Sequence, residues 1–115
     1  MKNLLAMLIL AAGLAMAADI SGTWNVTIEI QGNTGTPTFV LKQDGEKLTG
    51  TYSGMLGEAP ITGTIKGDQV EWSFDVKSDQ VSGKVTYRGT VSGAKMSGKA
   101  SFGDLGEGTW TGTKK

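Results

Sequence analysis

Few groups in this chain could do chemistry. Its 115 residues contain no His and no Cys, which excludes thiol nucleophiles, His-based triads and ordinary zinc sites. Acid–base work would fall to Asp, Glu, Lys or Tyr. Two glutamates stand out because they close similar phrases, Gly54-Met55-Leu56-Gly57-Glu58 and Gly103-Asp104-Leu105-Gly106-Glu107. A carboxylate pair about 5–9 Å apart can cleave a glycosidic bond. Nothing in the sequence around Glu58 or Glu107 raises a pKa or builds a sugar subsite, and a duplicated loop yields a pair of glutamates whatever its function. Asp104 and Glu107 would offer Ca²⁺ two carboxylates, short of its usual six to eight or so oxygen ligands. The expectation is a non-enzymatic protein with no catalytic residue, metal or cofactor.

The aromatic residues suggest binding instead. Tyr52, Phe74, Phe102 and Trp110 fall on one parity of alternating segments. Met55, Leu56 and Leu105 sit in the two similar loops beside Glu58 and Glu107. Together these nine residues are the candidate ligand site. The aromatics would line a concave apolar pocket and the loop residues would form its rim, as binding of a small hydrophobic or aromatic molecule requires. The competing reading is structural: Leu56 and Leu105 fold down as caps over a core.

Positioning these residues requires strands. From Thr23 the pattern has period two, with Trp24, Val26, Ile28 and Ile30 on one face and Thr23, Asn25, Thr27 and Glu29 on the other. A loop at Gln31–Gly35 leads past Pro37 to Phe39 and Leu41 on the second strand. Asp44-Gly45 reads as a hairpin turn, followed by Leu48, Gly50 and Tyr52. Gly54–Ala59 reads as a loop, and Ile61, Gly63 and Ile65 mark the fourth strand. Gly67-Asp68, Asp79-Gln80 and Ser92-Gly93 are the next turns, joining strands that carry Trp72 and Phe74, then Val85 and Tyr87, then Met96 and Phe102. Gly103–Gly108 is a loop before Trp110 and Gly112.

The chain is also duplicated. A shift of 48 places Trp24 on Trp72, Phe39 on Tyr87 and Gly50 on Gly98. A shift of 49 then overlays the two loop phrases, and Thr62-Gly63-Thr64 on Thr111-Gly112-Thr113. Two four-stranded units predict an all-β fold, an eight-stranded antiparallel up-and-down barrel, with a β-sandwich as the alternative. The turns predict Phe39 opposite Gly50, Tyr87 opposite Gly98, Gly63 opposite Trp72 and Trp72 opposite Tyr87. They also pair Glu71 with Arg88 and Asp75 with Lys84. Carried through the duplication, the Gly63–Trp72 pair predicts Gly112 opposite Trp24, which closes the ring. The tight turns and both termini share one end, and the longer loops form the other.

The first residues have a different character. Met1-Lys2-Asn3 is a short basic start, Leu4–Ala18 is apolar apart from Gly13, and Ala15-Met16-Ala17 is a small-x-small cleavage site. This reads as a signal peptide over 1–17, leaving one domain over 18–115. The apolar run is shorter than the roughly 20 residues that span a bilayer. Without Lys2, 10 basic face 11 acidic residues, so no basic patch points to nucleic acid. The expectation is a secreted or periplasmic bacterial protein whose mature chain does not insert into a membrane.

Gly22-Thr23-Trp24, opening the first strand, resembles the lipocalin and avidin barrels of the calycin group. Leu48-Thr49-Gly50-Thr51-Tyr52 is similar to the third-strand phrase of avidin-type proteins. The resemblance spans the first four strands and implies an eight-stranded meander barrel that binds a small ligand. The pattern departs at two places. Lipocalins set a basic side chain against that Trp, whereas Arg88, the sole Arg, has outward parity. Avidin-type proteins carry an inward Asn two residues beyond the Trp, whereas Asn25 follows Trp24 directly and points outward, away from any biotin-like site. The alternative function is an interaction module that binds protein or glycan through its Thr-rich outer face.

Overall fold

Alternating apolar and polar residues make strands with one dry face, and a sheet with one dry face can bury it by curling into a closed ring. The computed structural model describes residues 19–77, 82–103 and 106–115. The predicted signal segment, the Asp79-Gln80 turn, Asp104 and Leu105 lie outside them. The described residues form nine strands, in order: β1 (Gly22–Ile30), β2 (Asn33–Gly35), β3 (Thr38–Asp44), β4 (Lys47–Gly54), β5 (Gly57–Lys66), β6 (Gln69–Lys77), β7 (Ser82–Ser92), β8 (Lys95–Phe102) and β9 (Glu107–Lys114). All pairings are antiparallel. β9 pairs with β1, so eight strands close into a barrel and β2 is an extra strand on β1. Closure settles the choice between barrel and sandwich.

Parity holds throughout. All eight aromatic residues are buried, in one core with Val26, Ile28, Leu41, Leu48, Ile61, Val85 and Met96. Phe39 touches Tyr52, Trp72, Phe74 and Tyr87 with ring centroids 5.0–5.9 Å apart. Trp72 stacks on Tyr87 at 5.7 Å, and Tyr52 on Phe74 at 4.3 Å. Outward positions carry Thr, Ser, Lys and Glu, not the lipid-facing apolar band of a transmembrane barrel. On that face Arg88 pairs with Glu71 at 2.8 Å, and Asp75 stands opposite Lys84. Both partners of the ion pair are well exposed, so solvent screening leaves it little weight in stability.

Register departs from expectation at three places. Gly45-Glu46, not Asp44-Gly45, is the centre of the β3–β4 turn, and Gly93-Ala94 the centre of the β7–β8 turn. Gly45 and Gly93 each have φ 62°, while Glu46 and Ala94 are not at positive φ. Glycine at the first central position of a two-residue hairpin is the type II′ signature. The pairing therefore moves by two residues: Phe39 faces Tyr52, Leu41 faces Gly50, and Tyr87 faces Ala100. The third departure is the seam. Gly112 pairs with Val26, and Trp24 with Lys114.

The seam shows where the duplication stops holding. Trp24↔Phe39 maps onto Trp72↔Tyr87, Leu41↔Gly50 onto Gly89↔Gly98, and Thr49↔Thr62 onto Ser97↔Thr111. Only the fourth relation breaks, because Gly63↔Trp72 has no equivalent at Gly112. β5 and β6 are tied by the Gly67-Asp68 turn, which fixes their register. No turn joins β9 to β1, and these strands pair two residues further along.

The end with the tight turns is sealed. Ile20 is buried there. Its N–H donates to Gln43 Oε1, and its carbonyl accepts from Trp24 Nε1, both at 2.9 Å. Ser21 Oγ accepts the Gln43 N–H, and Lys114 Nζ donates to the Asp19 carbonyl at 3.2 Å. The first described residues thus form a plug.

Candidate functional site

The opposite end is built differently from the loops expected there. Gln31–Gly35 is a hairpin: Gln31 and Gly32 have φ 51° and 81°, and Asn33–Gly35 returns along Ile28–Ile30. Two central residues at positive φ match a type I′ turn. β4 and β5 run on to Gly54 and Gly57, so only Met55 and Leu56 form the turn between them. The β1–β2 hairpin and the β4–β5 tip enclose a recess of about 430 Å³. Ile28, Ile30, Tyr52, Met55, Leu56 and Phe102 supply apolar walls, Tyr87 reaches the floor, and Asn33–Pro37 forms one side.

Of the nine candidate residues, the recess brings together Tyr52, Met55, Leu56 and Phe102. Met55 is 88% exposed at the rim, and Leu56 is half-buried against the core. Leu56 therefore serves both as cap and as wall. Phe74 and Trp110 do not reach the recess. Phe74 is buried under Tyr52, and Trp110 lies across the Gly89↔Gly98 pair, its Nε1 shared between the Arg88 and Lys99 carbonyls at 3.1 Å. Inward parity identified both as buried but carried no information on their depth along the barrel axis. Glu58 and Glu107 point outward from β5 and β9, strands on opposite sides of the eight-membered ring. They do not converge, and Glu107 contributes its charge near Arg88 instead. Leu105 lies outside the described residues. No cluster of three or more potential metal ligands occurs among the described residues.

Searched against protein-family models and against curated proteins, the chain matches none.

The residues missed by sequence reasoning are those of the β1–β2 hairpin. Ile28 and Ile30 read correctly as inward. Gln31-Gly32 had the composition of a turn, but Asn33-Thr34-Gly35 carries no apolar residue to mark a strand. Pairing to β1 holds these residues in place instead.

Tyr52 is the polar member of the site. It is only 4% exposed, and its Oη accepts the Leu56 N–H at 3.3 Å. A side chain at Gly54 would collide with that hydroxyl and approach Pro37, so Gly54 leaves room for the phenol under the tip. Burial raises the Tyr52 pKa above its ordinary value, with the Leu56 hydrogen bond opposing. Tyr87 is raised further, chiefly by burial and then by the neighbouring Tyr52. Both phenols stay protonated and neutral at physiological pH.

Proposed function

We propose that this protein is an exported, non-enzymatic barrel that holds a small apolar or aromatic molecule in the recess between the β1–β2 hairpin and the β4–β5 tip. One observation carries this reading. In a barrel whose interior is filled with aromatic side chains, an apolar-walled recess of about 430 Å³ lies at the end opposite the Ile20 plug. That volume lies in the range typical of small-molecule sites. The absence of His and Cys and the divergence of Glu58 and Glu107 support a binding protein over a hydrolase. Export to the periplasm or the medium is supported by the basic start, apolar run and Ala15-Met16-Ala17 of the first residues. Kinship with the calycins is supported by Gly22-Thr23-Trp24 together with the seat of Trp24 near the sealed end.

The test is titration with N-phenyl-1-naphthylamine, a neutral aromatic dye that brightens in apolar surroundings. The wild-type protein should bind one dye per chain, with a dissociation constant on the order of 10 μM. Leu56→Trp, which fills the recess from its wall, should abolish binding while near-ultraviolet circular dichroism stays native-like. No saturable signal, or one unchanged by Leu56→Trp, refutes the reading.

A further inference from the structure

The recess has a polar side as well as apolar walls, and its polar groups are arranged selectively. Tyr52 cannot swing away, because its ring is stacked on Phe74 at 4.3 Å with 14° between planes. Its oxygen already accepts from Leu56, and its own proton meets no acceptor among the described residues. A second donor comes from the edge of β2. Ile30 and Asn33 close a two-residue hairpin, so they form a hydrogen-bonded pair. In an antiparallel ladder such pairs alternate with non-bonded ones. Thr34, opposite Glu29, is therefore the non-bonded position, and its N–H and C=O turn away from β1. Among the described residues β2 pairs with no other strand, and Thr34 lines the recess.

The described lining of this site carries no charge. Among the described residues, the twelve around the recess include no Lys, Arg, Asp or Glu. A charged ligand group would lose its hydration there and find no counterion, which is strongly unfavourable.

We infer that the recess selects a neutral aromatic or apolar molecule carrying one carbonyl-type acceptor (a ketone, amide or ester), which takes the Tyr52 hydroxyl proton, with the Thr34 N–H as a second donor. This rests on the recess being a ligand site. It adds the chemical class of the ligand and assigns Tyr52 and Thr34 as the groups that read it. The apolar body lies against Ile28, Ile30, Leu56 and Phe102. Both donors are fixed before binding, Tyr52 by its stacking and Thr34 by the hairpin, so little ordering accompanies the hydrogen bonds.

Three dyes of similar size test this. Prodan (6-propionyl-2-dimethylaminonaphthalene) is neutral and has a ketone, N-phenyl-1-naphthylamine is neutral without a carbonyl, and 8-anilinonaphthalene-1-sulfonate is anionic. In the wild type, Prodan should bind tightest and the sulfonate weakest. Tyr52→Phe should weaken Prodan about fivefold to tenfold, the worth of one hydrogen bond, and change N-phenyl-1-naphthylamine less than about twofold. An equal effect of Tyr52→Phe on both neutral dyes, or sulfonate binding as tight as theirs, overturns the inference. A measurement on the wild type alone guards against a misfolded variant. The ketone stretch of bound Prodan should lie at lower wavenumber than in dry alkane, and an unshifted band overturns the inference. Failure of every dye to bind would instead refute the ligand site itself, so the two outcomes are distinguishable.

Discussion

The three tryptophans bury the same indole but treat its N–H differently. Trp24 donates to the Ile20 carbonyl and so ties the plug to the core. Trp110 bridges two carbonyls across β7 and β8, lying over glycines whose missing side chains make room for it. Trp72 is as deeply buried, yet its Nε1 has no partner among the described residues. Its three ring neighbours, Phe39, Tyr87 and Trp110, hold it in place. A buried donor without an acceptor weakens the fold by about 1–3 kcal/mol. Replacing each indole by a benzyl group therefore separates two effects. Trp24→Phe loses packing volume and orphans the Ile20 carbonyl, and should lower unfolding free energy by about 2–3 kcal/mol. Trp72→Phe loses similar volume but also removes the orphan, and should be milder by at least about 1 kcal/mol. Urea unfolding of both variants decides it, and equal losses contradict this account of the indoles. At this scale the sequence was readable for burial and silent on hydrogen bonding. Alternation placed every aromatic inward, but no local pattern distinguishes a satisfied indole from an orphaned one.

Among the strands, a two-residue error in register preserves every face, because side chains alternate with period two. This is why burial followed from the sequence even where the partners did not. Asp44-Gly45 and Ser92-Gly93 each contain the right glycine, but φ 62° at that glycine with a negative φ after it puts it first in the turn and not second. Partner identity thus depended on turn type, which the dipeptide alone did not specify. The seam was hidden for another reason: duplication predicts it only if the symmetry is complete, and the one pairing without a covalent turn departs from it. The departure has an energetic consequence. A methyl group at Gly63 would overlap the Glu71 carbonyl and lie 2.6 Å from Trp72 Cα, both backbone. At Gly112 it would meet only side chains, the nearest being Val26 Cγ2 at 3.3 Å. Gly63→Ala should lower stability by about 2–4 kcal/mol and Gly112→Ala by about 1 kcal/mol or less. Thermal and urea unfolding of the two alanine variants tests this. Equal sensitivity would mean that the seam repeats the β5–β6 pairing after all.

The molecule as a whole is a filled ring with two unlike ends. At one end stand three type II′ turns and the Ile20 plug, and the turn carbonyls of Glu46, Asp68 and Ala94 accept N–H groups from Ile65, Val91 and Lys114 on adjacent strands. At the other end β1 rises past the tip of β4–β5 with β2 beside it, and the recess lies between them. The sequence located this end and a third of its twelve lining residues, Tyr52, Met55, Leu56 and Phe102. It did not disclose that Asn33–Pro37 forms the facing side, since a polar strand held only by its neighbour leaves no hydrophobic signature. The central proposal is that a small apolar ligand enters this recess. Backbone ¹⁵N–¹H chemical-shift mapping during titration with N-phenyl-1-naphthylamine tests it most directly. The account predicts saturating shifts concentrated at Ile28–Thr36, Tyr52–Leu56 and Phe102, with Thr27, Thr90, Ser97 and Thr111 on the outer face moving far less. Shifts centred on that outer face, or none at all, would contradict it.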